Sequence, residues 1–407
     1  MTHRCRSSNV AIPFALPAIG REEIESVCRV LESGWLTTGE EARKFEREFA
    51  AAVEAPHAVA VNSATAGLHL ALEALGIGPG DRVLVPTWTF TATAEVVHHV
   101  GATVELVDVD ESTLLLDLDA VERRMREEMS VRAVIPVHFA GQTCDMQRLI
   151  AMARHYGVAV IEDAAHAFPA TCGGRPVGSL GDATVFSFYA TKTITTGEGG
   201  MVTTAESALA ERMRTMRLHG IDRDVFDRYR RPGTTWHYDV VDAGFKYNLT
   251  DIAAAIGRVQ LARAEKLRAA RERIATYYLE SLADLPLRLP AYRDERDLHA
   301  WHLFVIQLLD TAPVDRDTLS AQLARRGIGT SVHFRPLHHH PFWKRHATYA
   351  SGLPRADRAF ERVLSLPLYA TLTDMQARRV VQALREILGA GHLGCREDGA
   401  THERAAA

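Results

Sequence analysis

The chain has 407 residues, 47% hydrophobic and 24% charged, with a formal net charge of −4. That length suits roughly two or three domains, and that composition suits a buried globular core. The near-neutral balance excludes the basic field of a nucleic-acid binder, and no apolar run is long enough to span a bilayer.

At the N-terminus, Arg4 and Arg6 precede a short apolar stretch interrupted by Pro13 and Pro17 and followed at once by Glu22, Glu23 and Glu25. This pattern reads as a first folded turn, not a signal peptide. Five cysteines (Cys5, Cys28, Cys144, Cys172 and Cys395) form no C-x-x-C pair. Reduced thiols in a cytoplasmic protein are the expectation.

Short apolar runs then follow at 58–61, 82–86, 103–107, 133–137, 158–161, 183–188 and 201–204. Helical patterns separate most of them, at 67–75, 91–98, 118–129 and 146–156. This β-α-β rhythm predicts an α/β domain around a mostly parallel sheet. A polar, aromatic segment spans 221–244, and a long helical pattern runs from 250 to about 282. The remainder reads as a smaller α+β domain, with a strand at 301–309 and helices at 316–326 and 374–388. The expected large domain covers 12–260 and the small one 261–392, with 1–11 and 394–407 as flexible tails.

Ligands collect at the carboxyl ends of parallel strands, so the residues found there matter most. After 58–61 comes Asn62-Ser63-Ala64-Thr65-Ala66-Gly67, entering a helix. Small and hydroxyl residues at a helix start make an anion cradle, or serve as an ordinary N-cap. After 158–161 come Glu162 and Asp163. A carboxylate there is costly unless paired with a cation, a metal or a helix N-terminus. After 183–188 comes Lys192, ahead of Gly197, Gly199 and Gly200. A partly desolvated lysine has a depressed pKa and attacks carbonyls, whereas an exposed one merely reaches solvent.

Taken together, an anion cradle, a buried carboxylate and a lysine are what pyridoxal phosphate requires for its phosphate, its ring nitrogen and its aldehyde. An aromatic to face the ring is available in Trp88 or Phe90. A zinc site is not expected. The side chains of the His338-His339-His340 run should point apart, and the run reads as a substrate or surface loop. A nicotinamide site is not expected either, because no G-x-G-x-x-G follows an early strand.

These residues, in this order, resemble the pyridoxal-phosphate sugar aminotransferases of the DegT/StrS type. The likeness runs from about residue 12 to 388 and includes Gly34-Trp35-Leu36-Thr37-Thr38-Gly39, Glu162-Asp163-Ala164-Ala165-His166, Phe186-Ser187-Phe188 with Lys192, and Lys246-Tyr247-Asn248. His333-Phe334-Arg335 and the Gly34–Gly39 start are similar to the UDP-4-amino-4-deoxy-L-arabinose aminotransferase branch.

The resemblance implies a type I, aspartate-aminotransferase-like α/β fold with a seven-stranded sheet. It also implies a cytoplasmic homodimer with shared active sites, transferring nitrogen from L-glutamate to a keto sugar nucleotide. Lys192 would hold the cofactor covalently and Asp163 would face the ring nitrogen. Thr65, Ala66 and Ser187 would bind the phosphate, Phe90 would stack on the ring and His166 would sit beside it. Lys246 and Asn248 would reach the partner's site, and Trp35, Thr37, His333 and Arg335 would meet the substrate. A free keto sugar or cyclitol as acceptor, and a noncatalytic sensor on the same fold, are the alternative functions. Dehydrating relatives replace the lysine by histidine, which Lys192 argues against.

Overall fold

Runs that are apolar at every position bury both faces, so they belong inside a sheet covered by helices on both sides. A computed structural model of the chain describes residues 11–222, 237–291 and 296–389. The expected tails, apart from Ala11, and Arg228, Tyr229, Arg230, Arg231 and Trp236 of the 221–244 segment lie outside the described residues. The strands in chain order are β1 (His57–Val61), β2 (Arg82–Pro86), β3 (Thr103–Val107), β4 (Val131–Val134) and β5 (Ala159–Asp163). A small hairpin of β6 (Thr171–Cys172) and β7 (Arg175–Pro176) precedes β8 (Ala183–Ser187) and β9 (Gly200–Thr204).

Seven of these form one sheet in the order β1-β9-β8-β5-β4-β2-β3. Only β9 runs against its neighbours, so the sheet is mostly parallel. Strand β4 is shorter than expected at its carboxyl end. Pro136, which has no amide, stands where the ladder would continue, and pairing to β5 resumes only as the isolated Val137–Asp163 bridge.

Successive residues of a strand face opposite sides, so each strand feeds two cores. Val83 and Val85 join a cluster under the helices Ala64–Ala74, Ala92–His99 and Ser207–Met216. Leu84 joins another under Leu118–Glu127 and Met146–Tyr156.

Helix Ala64–Ala74 comes close to the sheet because residue 67 has no side chain. A Cβ at Gly67 would meet Val185 Cγ1 at 2.8 Å and Val202 Cγ2 at 2.9 Å. Alanine would gain about 1 kcal/mol of helix propensity but would force apart two stiff valines. Gly67→Ala is therefore expected to destabilise the fold by a net ~1–2 kcal/mol, read as a lower urea midpoint at unchanged m-value.

The long helical pattern is two helices, Asp251–Ala262 and Ala264–Leu282, which break at Arg263 (φ −107°, ψ 2°). The break lets the first pack on helices Arg21–Ser33 and Glu40–Ala52, while the second joins a separate core. That core covers the antiparallel sheet of β10 (Leu287–Arg288), β11 (Phe304–Leu308) and β12 (Val363–Leu366), with helices Arg316–Arg325 and Asp374–Leu388. The expected strand at 301–309 starts late because residues 300–303 are used otherwise. The amides of Ala300, His302 and Leu303 bond to the carbonyls of Ala140 and Gly141. Trp301 takes φ 48° and Ala140 φ 59°, left-handed values uncommon for residues with side chains. The two turns thus hold each other, and they carry His302 toward the carboxyl end of the large sheet.

Candidate active site

A cavity of about 500 Å³ lies at the carboxyl ends of β1, β2, β5 and β8. Its walls include Thr65, Phe90, Asp163, His166, Ser187 and Lys192. Four strand-end segments, read separately in the sequence, are brought to one space.

Asp163 ends β5 and is 6% exposed. Its Oδ2 accepts a bond from Thr93 Oγ1 at 2.8 Å, and its Oδ1 accepts one from the Ala165 amide at 3.1 Å. Burial pushes its carboxyl above the ordinary range, against the pull of those two bonds and of the Lys192 cation. Among the described residues no cation forms an ion pair with it. An adjacent carboxylate, Glu162, faces the other way. It is consumed by His138 Nε2 at 2.9 Å, Thr184 Oγ1 at 2.7 Å and the Gly181 amide at 2.8 Å. Asp163 alone therefore offers a buried negative charge to a cation in the cavity.

Lys192 follows β8 by five residues and lines the same space, half-buried. Burial lowers its amine to about 8, Asp163 pulls it up, and Arg271 pushes it down. In the cofactor-free protein, amine-reactive reagents are expected to label Lys192 with a midpoint near pH 8. An ordinary lysine titrates near ~10.4, so peptide mapping across pH separates the two.

The anion cradle is the start of helix Ala64–Ala74. Ser63 caps it, its Oγ accepting from the Ala66 amide at 3.1 Å. That bond spends the Ala66 amide within the cap, and Ala66 does not line the cavity, whereas Thr65 and Ser187 do. Ser187 Oγ accepts from the Tyr189 amide at 3.3 Å, leaving its proton free to donate. At Gly200 a Cβ would lie 2.9 Å from the Ala64 nitrogen and 2.8 Å from the Phe186 carbonyl oxygen. Helix start and strand end meet there only because the side chain is absent.

Phe90 is 60% exposed at the cavity, whereas Trp88 is fully buried near Phe139. His166 accepts the Ala140 amide on Nδ1 at 3.3 Å and packs on His302, ring centroids 4.2 Å apart. Burial, then the Lys192 charge, hold His166 well below the usual imidazole range. Burial, then His166 and Lys192, do the same to His302. His333 is lowered to about 4 by burial and then Lys192, and its Nδ1 contacts Ser365 Oγ at 2.9 Å. These three rings are neutral near pH 7.

The remaining expected residues lie outside this cavity. Trp35 is half-buried and Thr37 exposed. Their segment instead grips the 246–251 segment: Thr38 Oγ1 donates to the Leu249 carbonyl at 2.5 Å and accepts from Asn248 Nδ2 at 2.7 Å. Lys246 Nζ donates to Asn248 Oδ1 at 2.5 Å. Arg335 is exposed, and its Nη2 donates to the His339 carbonyl at 2.9 Å. The rings of His338 and His339 do not point apart. Both Nε2 atoms reach Asp357 Oδ1, at 2.8 and 2.7 Å, which a tight 3-10 turn over Leu337–His339 permits. Sequence reading assigned no role to Thr93, His302 and Phe334, all of which line the cavity.

The profile of the DegT/DnrJ/EryC1/StrS aminotransferase family matches residues 17–385. The spore coat polysaccharide biosynthesis protein SpsC of Bacillus subtilis is 44% identical over 383 residues, 93% of this chain and 98% of SpsC. Spr1654 of Streptococcus pneumoniae, solved in a PLP-form, superposes with TM-score 0.86 at 32% identity, over 94% of this chain and 99% of that one. Helicobacter pylori PseC, an aminotransferase involved in the biosynthesis of pseudoaminic acid, superposes with TM-score 0.85 at 25% identity, over 93% of this chain and 100% of that one. The fold is therefore the type I fold of pyridoxal-phosphate enzymes, and a buried carboxylate without a cation, a helix-start cradle and a lysine of lowered pKa fit that cofactor. This chain belongs to the DegT/DnrJ/EryC1/StrS aminotransferase family and is a pyridoxal-phosphate-dependent aminotransferase.

Proposed function

We propose that the protein aminates a keto sugar carried on a nucleotide, 4-keto and UDP- or dTDP-linked, with L-glutamate as the nitrogen donor. The observation that carries the chemistry is the convergence of Lys192, Asp163 and the Ser63–Thr65 helix start on one cavity. The sugar acceptor is supported by the polysaccharide and pseudoaminic acid roles named for SpsC and PseC. Bound here, pyridoxal phosphate supplies the aldehyde that carries nitrogen and the ring that delocalises an electron pair. Lys192 would hold the cofactor covalently; its freed amine would move the proton at the substrate carbon. Asp163 would keep the ring nitrogen protonated. Thr65 and Ser187 would fix the phosphate, with the helix dipole behind them. Phe90 would cover one ring face, with His166 beside the ring. His333, at the cavity wall, would meet the substrate.

A homodimer belongs to the same proposal. Lys246 and Asn248 lie off their own cavity, where they would serve a neighbour's. Trp35, Thr37 and Arg335 also lie outside it and would meet substrate from across the interface. Leu36, Tyr238, Val240 and Val241 are exposed apolar groups of the kind an interface covers. The two cores would correspond to domains at 12–260 and 261–392. Among the described residues no helix is long and apolar enough to cross a membrane. A cytoplasmic location accords with the nucleotide sugar and with cysteines that form no disulfide among the described residues.

The test is the visible absorbance of the protein with added pyridoxal phosphate, before and after L-glutamate. A yellow band that glutamate bleaches, and that a keto sugar nucleotide restores, supports the whole reading. A band that no keto sugar nucleotide restores removes the proposed acceptor. A band indifferent to glutamate removes the proposed donor.

A further inference from the structure

Three arginines are buried among the described residues: Arg217, Arg268 and Arg271. Two have carboxylates. Arg217 pairs with Glu46, and Arg268 with Glu265 and Glu272. Arg271, only 3% exposed, forms no ion pair among the described residues. Its bonds go to four carbonyl oxygens instead. Nη1 donates to Leu368 at 2.8 Å and His302 at 3.3 Å; Nη2 donates to Thr191 at 3.3 Å and Lys192 at 3.4 Å. Its Nε has no partner. An uncompensated buried cation is costly and is retained only where something uses it.

Its place in the fold says what uses it. Arg271 stands on helix Ala264–Leu282, in the core of the smaller sheet, yet two of its bonds fall on the loop that carries the lysine. The other two fall together at one end of that sheet, just before β11 and just after β12. One guanidinium thus joins the catalytic loop to the second core. Its charge also bears on the cavity. Burial lowers Arg271 itself to about 10, so it stays protonated through neutral pH, and its field contributes to the lowered amine of Lys192. The other titratable groups facing Lys192 are Asp163, His166, His302, His333, Tyr189 and Glu198. The three imidazoles are held neutral, and Asp163 acts in the opposite direction, stabilising the charged amine.

We infer that Arg271 is a positioning residue for the reacting lysine: its guanidinium fixes the Thr191 and Lys192 carbonyls and sets a positive charge, unpaired among the described residues, behind the loop that carries the amine. This rests on the reading of Lys192 as the amine that reacts.

The experiment uses Arg271→Gln and Arg271→Lys in the full chain. In cofactor-free protein, the pH midpoint for labelling Lys192 with an amine-reactive acylating reagent is read by peptide mass mapping. Arg271→Gln is expected to raise the midpoint by roughly half to one pH unit, the loss of one nearby positive charge damped by solvent and salt. Arg271→Lys keeps the charge and should keep the wild-type midpoint. It cannot make four bonds, so kcat should fall while KM for the sugar stays within about twofold. A folded Arg271→Gln protein with an unmoved midpoint overturns the field, as does an Arg271→Lys midpoint shifted as far as that of Gln. An unchanged kcat in Arg271→Lys overturns the positioning. Should the Gln variant not fold, Arg271→Met, uncharged and of similar reach, takes its place in the midpoint test, and the Lys variant still decides the positioning. Labelling needs neither cofactor nor substrate, so it is independent of the proposed reaction. Borohydride reduction of the cofactor complex followed by mapping tests that reaction, and a pyridoxyl group away from Lys192 would sink it without touching the labelling result.

Discussion

Lys192→Ala is expected to abolish turnover, with a loss of about 10⁴-fold or more, while leaving the protein at least as stable as the wild type. The loss follows from the two tasks on one amine, holding the cofactor and moving a proton, the second alone contributing up to about 10⁴-fold. The stability half has the opposite sign from an ordinary core truncation. The Lys192 amine falls from 10.5 to about 8 on burial. Below pH about 8 the folded protein carries that cation in a desolvated place, and the unfolded chain carries it in water. The charged form therefore costs stability below about 8, and the cost fades as pH rises from 8 toward 10.5. Removing the amine removes the cost. A thermal midpoint for the cofactor-free Lys192→Ala protein equal to or above that of wild type at pH 7, with no protein-bound visible band once free pyridoxal phosphate is removed, is the expected pair of results. A variant that still turns over within 100-fold of wild type would remove Lys192 from the chemistry.

How far the sequence could be read depended on how local each feature is. Asp163, Ser187 and Lys192 stand at or a few residues past the ends of apolar runs, and a strand end is visible in the order of residues alone. Trp88 and Phe90 lie two residues apart and would share one face of an extended segment, so periodicity could not separate them and only the family resemblance pointed to Phe90. The failures are contacts across long sequence gaps. Thr93 matters because a helix begins where its hydroxyl can reach Asp163, seventy residues on. His302 enters the cavity because residues 300–303 dock on a turn at Ala140 instead of continuing a strand. Arg271 looks like one more cation on a helix rich in them; only the fold shows that no carboxylate among the described residues pairs with it. His338 and His339 were misread by assuming extended geometry, where neighbours diverge; a turn brings both onto Asp357. The break at Arg263 has no glycine or proline to announce it.

Asp163→Asn separates the charge of that residue from its shape. Asparagine keeps the shape with one acceptor: its Oδ1 can still accept the Ala165 amide, while its Nδ2 donates to Thr93 Oγ1, whose hydroxyl turns to Thr89 Oγ1. The carboxyl of Asp163 is raised above 3.8 by burial. For a raised carboxyl the folded state favours the protonated form, so ionisation near neutral pH costs stability in the absence of a cation. The cofactor's ring nitrogen, protonated, would be that cation. Two consequences follow together. Without cofactor, Asp163→Asn should melt at or above the wild-type temperature. With saturating pyridoxal phosphate the order should reverse, because a charge-assisted bond contributing about 1.5–3 kcal/mol is lost, weakening cofactor binding roughly 10- to 100-fold. Turnover should fall by about 100-fold or more even when cofactor saturates, since an unprotonated ring accepts electrons poorly and the loss acts where charge develops. Titrating the cofactor by absorbance and measuring melting with and without it gives both numbers from one preparation. If the variant binds the cofactor as tightly as wild type and turns over within tenfold, the buried carboxylate of β5 serves the fold, and the ring nitrogen is held by another group.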